Sequence, residues 1–407
     1  MHRPGLWSRA GVGALLALGG VAAVGIAGVD AHAGNLQIGI AWDDTAAGRS
    51  FAAAIDATRP GVFVAPPIEV PGDGVLRHAF GELFHVSRSA GVITRIEVSG
   101  WRVVGSHSFA PSAELRDVAV TDPSTAYVAD RAGTALLRLN PGTGTVVPAV
   151  DLTPLGVAPN VLSPERMLVH EGRLYLQLRR PQGLGQTSLI AVIDLASESL
   201  VDADPGVPGV QGIALAGTEP RHKMQVIPGT RRLMVSATGA LLDDGGIETI
   251  DLDTLGSEGI VLSDIGELGV NDFGPFVMLD SDFGWFSGAT SIVPSSHLHS
   301  FHISDPQPSI AVGNEIFFNA PHLVFDPGTH RIFWPIPDGM RFYDATTGVE
   351  DAASPALLLS GTTTDVEPIP LPSEVPAFGR AAWALALLLL AAAGAIATAG
   401  PRPGPRA

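Results

Sequence analysis

An all-β fold, a seven-bladed β-propeller, is what this sequence predicts, and three observations predict it. A short strand ending in an apolar residue followed by a turn-forming polar one recurs seven times along the middle of the chain. Glycine (48) and proline (33) make up about a fifth of the 407 residues, against roughly 12% in average proteins, while apolar residues stay at a globular 46%. Between the two ends no ten-residue amphipathic stretch supports a helical solenoid.

The seven copies are Ala54-Ile55-Asp56, Arg95-Ile96-Glu97, Arg138-Leu139-Asn140, Val192-Ile193-Asp194, Thr249-Ile250-Asp251, His302-Ile303-Ser304 and Phe342-Tyr343-Asp344. Their steps of about 40 to 57 residues bracket the length of a propeller blade and leave room for loops in the middle blades. Upstream of most copies lies a strand, a tight turn and a second strand. Examples are Asp117 to Ala129 around Asp122-Pro123-Ser124, Met167 to Leu176 around Glu171-Gly172, Met224 to Val235 around Pro228-Gly229, and Leu323 to Trp334 around Pro327-Gly328. Alternation with period two between such turns reads as strand. Blade one has one clear strand, Leu36 to Trp42, before its copy. The stretch Ala356-Leu357-Leu358-Leu359 is expected to complete it and close the ring, which would remove exposed sheet edges.

Ala126-Tyr127-Val128-Ala129-Asp130 and Asn140-Pro141-Gly142-Thr143-Gly144-Thr145-Val146 resemble the YVTN and NHL-like β-propellers. The resemblance covers roughly residues 36 to 358; it implies architecture and says little about activity.

The ends predict export and tethering. Residues 1–33 read as a signal peptide: Arg3 and Arg9 precede an apolar stretch from Ala10 to about Gly28, and Ala31-His32-Ala33 offers a small-residue cleavage site. The propeller is assigned to 34–360 and a proline-bearing linker with a sorting motif to 361–379. Pro368, Pro370, Pro372 and Pro376 are expected to keep that linker extended. A transmembrane helix is assigned to 380–399, whose uncharged run Ala381 to Ala399 would rise about 28 Å. Arg402 and Arg406 mark 400–407 as a cytoplasmic tail and leave the main domain outside. Val375-Pro376-Ala377-Phe378-Gly379-Arg380-Ala381-Ala382-Trp383 resembles the C-terminal sorting signals of the PEP-CTERM and IPTL-CTERM type. That resemblance implies a sorting enzyme as partner and a bacterial cell envelope as destination. The tail departs from the type by interleaving Pro401, Pro403 and Pro405 with its arginines, and a plain C-terminal anchor is the other reading.

The net charge of −17 repels phosphate backbones and argues against nucleic acid as a partner. Cysteine is absent, which removes disulfides, thiolate zinc sites and cysteine nucleophiles. No Gly-x-Ser-x-Gly elbow, His-Glu-x-x-His helix or Gly-Lys-Ser/Thr phosphate loop occurs.

Candidate site residues come from aligning the first strands of the blades on Phe80, Val120, Val169, Val226, Leu279 and Phe325 and reading three positions back. The result is Arg77, Asp117, Arg166, Lys223, Phe276 and His322. Three cations and a histidine, including the only lysine, would surround one channel mouth and favour an anionic ligand. Solvated charges following loops are the bland reading of the same positions. His297 and His299 would share a face of a strand and could hold a divalent metal if a bend brought His302 to join them; otherwise they belong to a polar loop. No cofactor is inferred. Asp280-Ser281-Asp282-Phe283-Gly284 begins like a calcium loop, but position twelve is Ser291, so a strand-to-strand turn explains it better. The reading that follows is an exported, membrane-tethered propeller that binds or displays a protein or glycan partner at the envelope, without catalysis. The alternative is a channel-centred, lactonase-like or other metal-assisted hydrolase using carboxylates such as Asp117.

Overall fold

In a computed structural model, the described residues are 36–158, 161–180, 187–239, 245–263, 272–289, 295–306, 310–316, 322–351 and 357–370. They form seven antiparallel sheets arranged as the blades of a propeller. Blade two is representative, with strands Gly74–Ala79, Glu82–Ser87, Val92–Glu97 and Arg102–Ser108 from the channel outward. The first strands of blades three to seven are Leu115–Asp122, Ser163–His170, Gln225–Val226, Asp272–Met278 and Val324–Asp326. The first strands of blades two, three and four touch in succession, as do those of blades six and seven, which identifies the first strands as the lining of the central channel.

The seven repeated pairs all fall at the end of the third strand of a blade. The reason is local chemistry. The carboxylates of Asp56, Asp194, Asp251 and Asp344 each accept a backbone amide two or three residues on, from Thr58, Ser197, Thr254 and Thr347. Asn140 does the same for Thr143. The apolar member is buried in six repeats and half-buried at Ile303, and the polar one starts the turn toward the outer strand. The acidic stretch that begins at Asp280 is also a turn, since Asp280 accepts the amides of Asp282 and Phe283.

Seven apolar clusters hold the ring, one between each pair of neighbouring blades. Because side chains alternate across a strand, one strand feeds two clusters. Leu174 and Leu176 pack toward blade three while Tyr175 packs toward blade five. Ile332 and Trp334 pack toward blade six while Phe333 packs toward blade one.

Closure differs from the expectation. Leu357–Leu358 is the outer strand of blade seven, paired to Gly339–Asp344. Thr362–Pro370 supplies the innermost strand of blade one, paired antiparallel to Leu36–Asp44. The segment expected to be linker from residue 361 is therefore part of the ring as far as Pro370. Its prolines fit because the strand has a sheet partner on one side only, so the missing amide of Pro368 costs no ladder bond on the channel side. Leu36 pairs with Pro370, so the described chain begins and ends at the same face. The signal peptide, the sorting motif at Val375 and Pro376, the apolar segment 380–399 and the arginine tail lie outside the described residues. Among the described residues no helix is long and apolar enough to cross a membrane.

Candidate functional site

The first strands all run in the same direction through the ring, so one end of the channel collects their opening residues. A cavity of about 410 Å³ opens there, lined by Arg88, Arg116, Arg166, Arg179 and Arg221, by Asp43, Asp73 and Glu165, and by Thr362, Thr363, Thr364 and His222. Irregular strand pairing delivers several of these side chains. The register of Leu115–Asp122 slips between Leu115 and Asp117, where Arg116 stands. That of Ser163–His170 slips between Pro164 and Met167, where Glu165 and Arg166 stand. In Thr362–Pro370 the slip leaves Thr364 unpaired between Thr363 and Asp365. A bulge re-aims a side chain out of the regular alternation, and here three bulges aim at one cavity.

Four of the five arginines are held by carboxylates. Arg88 lies 2.6 Å from Asp73, Arg179 lies 3.3 Å from Glu165 and 3.1 Å from Glu219, and Arg116 is 3.9 Å from Glu165. Arg221 pairs with Glu219. Arg166 is 4% exposed and is held by two carbonyls instead. Its Nε donates to Arg221 O at 3.0 Å and its Nη1 to Arg116 O at 2.7 Å. Burial pulls its pKa down, opposed by Asp117 and Asp365.

The sequence-derived set Arg77, Asp117, Arg166, Lys223 and His322 does converge on the channel, but only Arg166 reaches the mouth cavity. The other four lie deeper and are tied to one another or to the closing strand. Asp117 accepts Arg77 Nε at 2.7 Å and Arg77 Nη2 at 2.5 Å, and the amides of Val118 and Met167. Burial opposes the charge on Arg77, yet Asp117 outweighs it and raises the Arg77 pKa. Lys223 crosses the channel from blade five to blade one, where its Nζ sits 2.8 Å from Asp365 and 2.8 Å from Glu367, and it also donates to Val366 O and Leu76 O. His322 Nδ1 lies 3.0 Å from Val366 O; burial, then Lys223, holds its pKa well below 6.5. The expected cationic field is thus offset inside the protein by Asp117, Asp365 and Glu367. The last two stand in Thr362–Pro370, which reads as linker because Val366 and Ile369 are three residues apart and break a strand's period-two alternation; the ring buries them in two different clusters. Phe276 packs between blades five and six rather than in the channel.

His297 and His299 do share a face, with ring centroids 6.0 Å apart. His299 stacks on Phe286 and is buried. His302 turns away to Asp282, 3.0 Å distant. Among the described residues no group of three or more histidine or acidic side chains is arranged to hold a metal; the pair lacks the bend that three-ligand coordination needs.

No family model matches the sequence, and no curated protein matches it as a relative. Solved structures do match. A candidate 6-phosphogluconolactonase from Bacteroides uniformis aligns with TM-score 0.57 at 10% identity over 82% of this chain and 99% of that one. Apo AztD from Citrobacter koseri aligns with TM-score 0.52 at 12% identity over 82% and 98%. Hydrazine synthase from Kuenenia stuttgartiensis aligns with TM-score 0.52 at 14% identity over 68% and 77%. The likeness is one of fold. A propeller of this kind hosts enzymes and binding proteins alike, so function has to be argued from the mouth cavity.

Proposed function

We propose that the protein is an exported, membrane-tethered binding propeller of a bacterial cell envelope, which takes a protein or glycan partner at the arginine-rich channel mouth. The observation that carries this reading is the cavity itself, whose charged lining is fixed by carboxylates and carbonyls. A preorganised set of donors needs little ordering on binding. A hydrolase would need a carboxylate such as Asp117 as its base. Both of its oxygens are occupied by Arg77 and by backbone amides, which leaves no lone carboxylate there to act as a base.

The direction of the closing strand supports a polarity for this display. Thr362, Thr363 and Thr364 line the mouth, and the strand runs from there to Pro370 at the opposite face. An anchor beginning near Ala381 would be reached over ten further residues, at most about 35 Å of chain. The tethered propeller would then stand with its mouth turned away from the bilayer. The N-terminal side agrees, since Leu36 lies beside Pro370.

The test is capture of envelope glycans and proteins by the purified full chain. The charge reversals Arg88→Glu and Arg116→Glu together should abolish capture. Arg231→Glu, at the turn between the first two strands of blade five and so at the opposite face, should leave it intact. Equal capture by all three proteins would refute the mouth as the recognition site.

A further inference from the structure

Resting on the mouth as the binding face, the kinds of group that line it narrow the ligand. We propose that Arg166 anchors the carboxylate of a sugar acid, either free or as the terminal residue of an acidic glycan.

Arg166 differs from the other mouth arginines in having no carboxylate within ion-pair distance among the described residues. Asp117, Asp365 and Glu165 feel its charge, but Asp117 is committed to Arg77, Asp365 to Lys223, and Glu165 to Arg179. The guanidinium nevertheless stays protonated, because arginine does not lose its proton in proteins. Two backbone carbonyls fix its plane through Nε and Nη1, and its remaining Nη nitrogen has no protein acceptor among the described residues. A buried cation without a counter-ion is costly unless an anion completes it. A planar guanidinium matches a carboxylate in fork geometry.

The other polar side chains that line the cavity divide into two kinds. Arg88, Arg116 and Arg179 are donors only, and Thr362, Thr363 and Thr364 carry hydroxyl groups. Asp43, Asp73 and Glu165 are acceptors only when ionised. A simple inorganic anion would satisfy the first kind and be repelled by the second. A molecule carrying one carboxylate and several hydroxyl groups satisfies both, since each hydroxyl donates to a carboxylate oxygen and accepts from a guanidinium. The cavity of about 410 Å³ suits one such ring, at the small end of ligand pockets. Arg166, Thr364 and Glu165 all sit in strand bulges, so the backbone irregularities serve this one spot.

Calorimetry on the full chain tests the assignment with four probes: glucuronate, glucose, inorganic phosphate, and an oligosaccharide ending in glucuronate. Glucuronate should bind at least tenfold more tightly than glucose or phosphate. Stronger binding of the oligosaccharide would make a glycan end the source, and equal binding would make it the free acid. Arg166→Gln should weaken glucuronate at least tenfold while melting no lower than the parent protein, and Arg166→Lys should recover part of the affinity. Phosphate binding as tightly as glucuronate, or undiminished glucuronate binding in both Arg166 variants, would overturn the proposal. If glucuronate does not bind while the parent captures envelope partners, the anchor fails and the mouth survives; if glucuronate binds but the parent captures none, the envelope reading fails and the anchor survives; if neither occurs, both fail.

Discussion

Lys223 Nζ lies 2.8 Å from Asp365 Oδ2, and both side chains are almost wholly withdrawn from solvent. This pair joins the fifth blade to the closing strand of the first across the channel. Replacing Lys223 by methionine leaves Asp365 and Glu367 without their cation, and stranding buried charge in this way costs about 3–5 kcal/mol. Denaturant unfolding should register that loss, and adding Asp365→Asn to Lys223→Met should return part of it. A Lys223→Met protein as stable as the parent would show that the pair contributes nothing to closure.

A stop after Gly361 removes the innermost strand of blade one, exposing the edge of Leu36–Asp44 and unpairing Lys223. That chain should be insoluble or lack a cooperative melt. A stop after Glu374 keeps every strand of the ring and should melt as the full chain does. Indistinguishable behaviour of the two truncations would put the ring's boundary back at residue 360.

Stability should fall as pH drops from about 6.5 toward 4. His85 is fully buried with neither ring nitrogen hydrogen-bonded. Burial, opposed by Asp73 and Asp365, holds its pKa down to about 4. His299 is likewise held at about 4, by burial and then by His297. In this window the unfolded chain takes up protons that the folded chain refuses, so each histidine costs about 1.4 kcal/mol per pH unit, and above 6.5 neither costs anything. Thermal melts at pH 7, 6 and 5 measure the slope. His85→Leu should lower it by one histidine's share.

Gly74 has no room for a side chain, because a Cβ there would overlap the imidazole of His85. Gly74→Ala should cost about 1–3 kcal/mol, the usual range for overpacking. A double-mutant cycle with His85→Ala should show a favourable coupling, since the smaller side chain vacates the space. Additive effects would mean that some other contact excludes the methyl group.

The sequence by itself determined the seven blades, because each is marked locally. An apolar residue followed by Asp56, Asp194, Asp251 or Asp344 encodes a strand end and the turn after it within a few residues. It also brought Arg77, Asp117, Arg166, Lys223 and His322 to one channel, because strand periodicity carries equivalent positions to equivalent places. Only the tertiary structure decided how those charges are spent. Whether Lys223 faces a ligand or Asp365 depends on two segments more than 140 residues apart meeting across the ring, and no local pattern reports that. The same holds for Thr362–Pro370, whose prolines and polar residues read as linker in isolation. They become a strand because the ring offers them a free edge on one side and a channel on the other. The bulges that turn Arg116, Arg166 and Thr364 into the mouth are likewise products of strand pairing, in which the partner's register decides which side chain is left over.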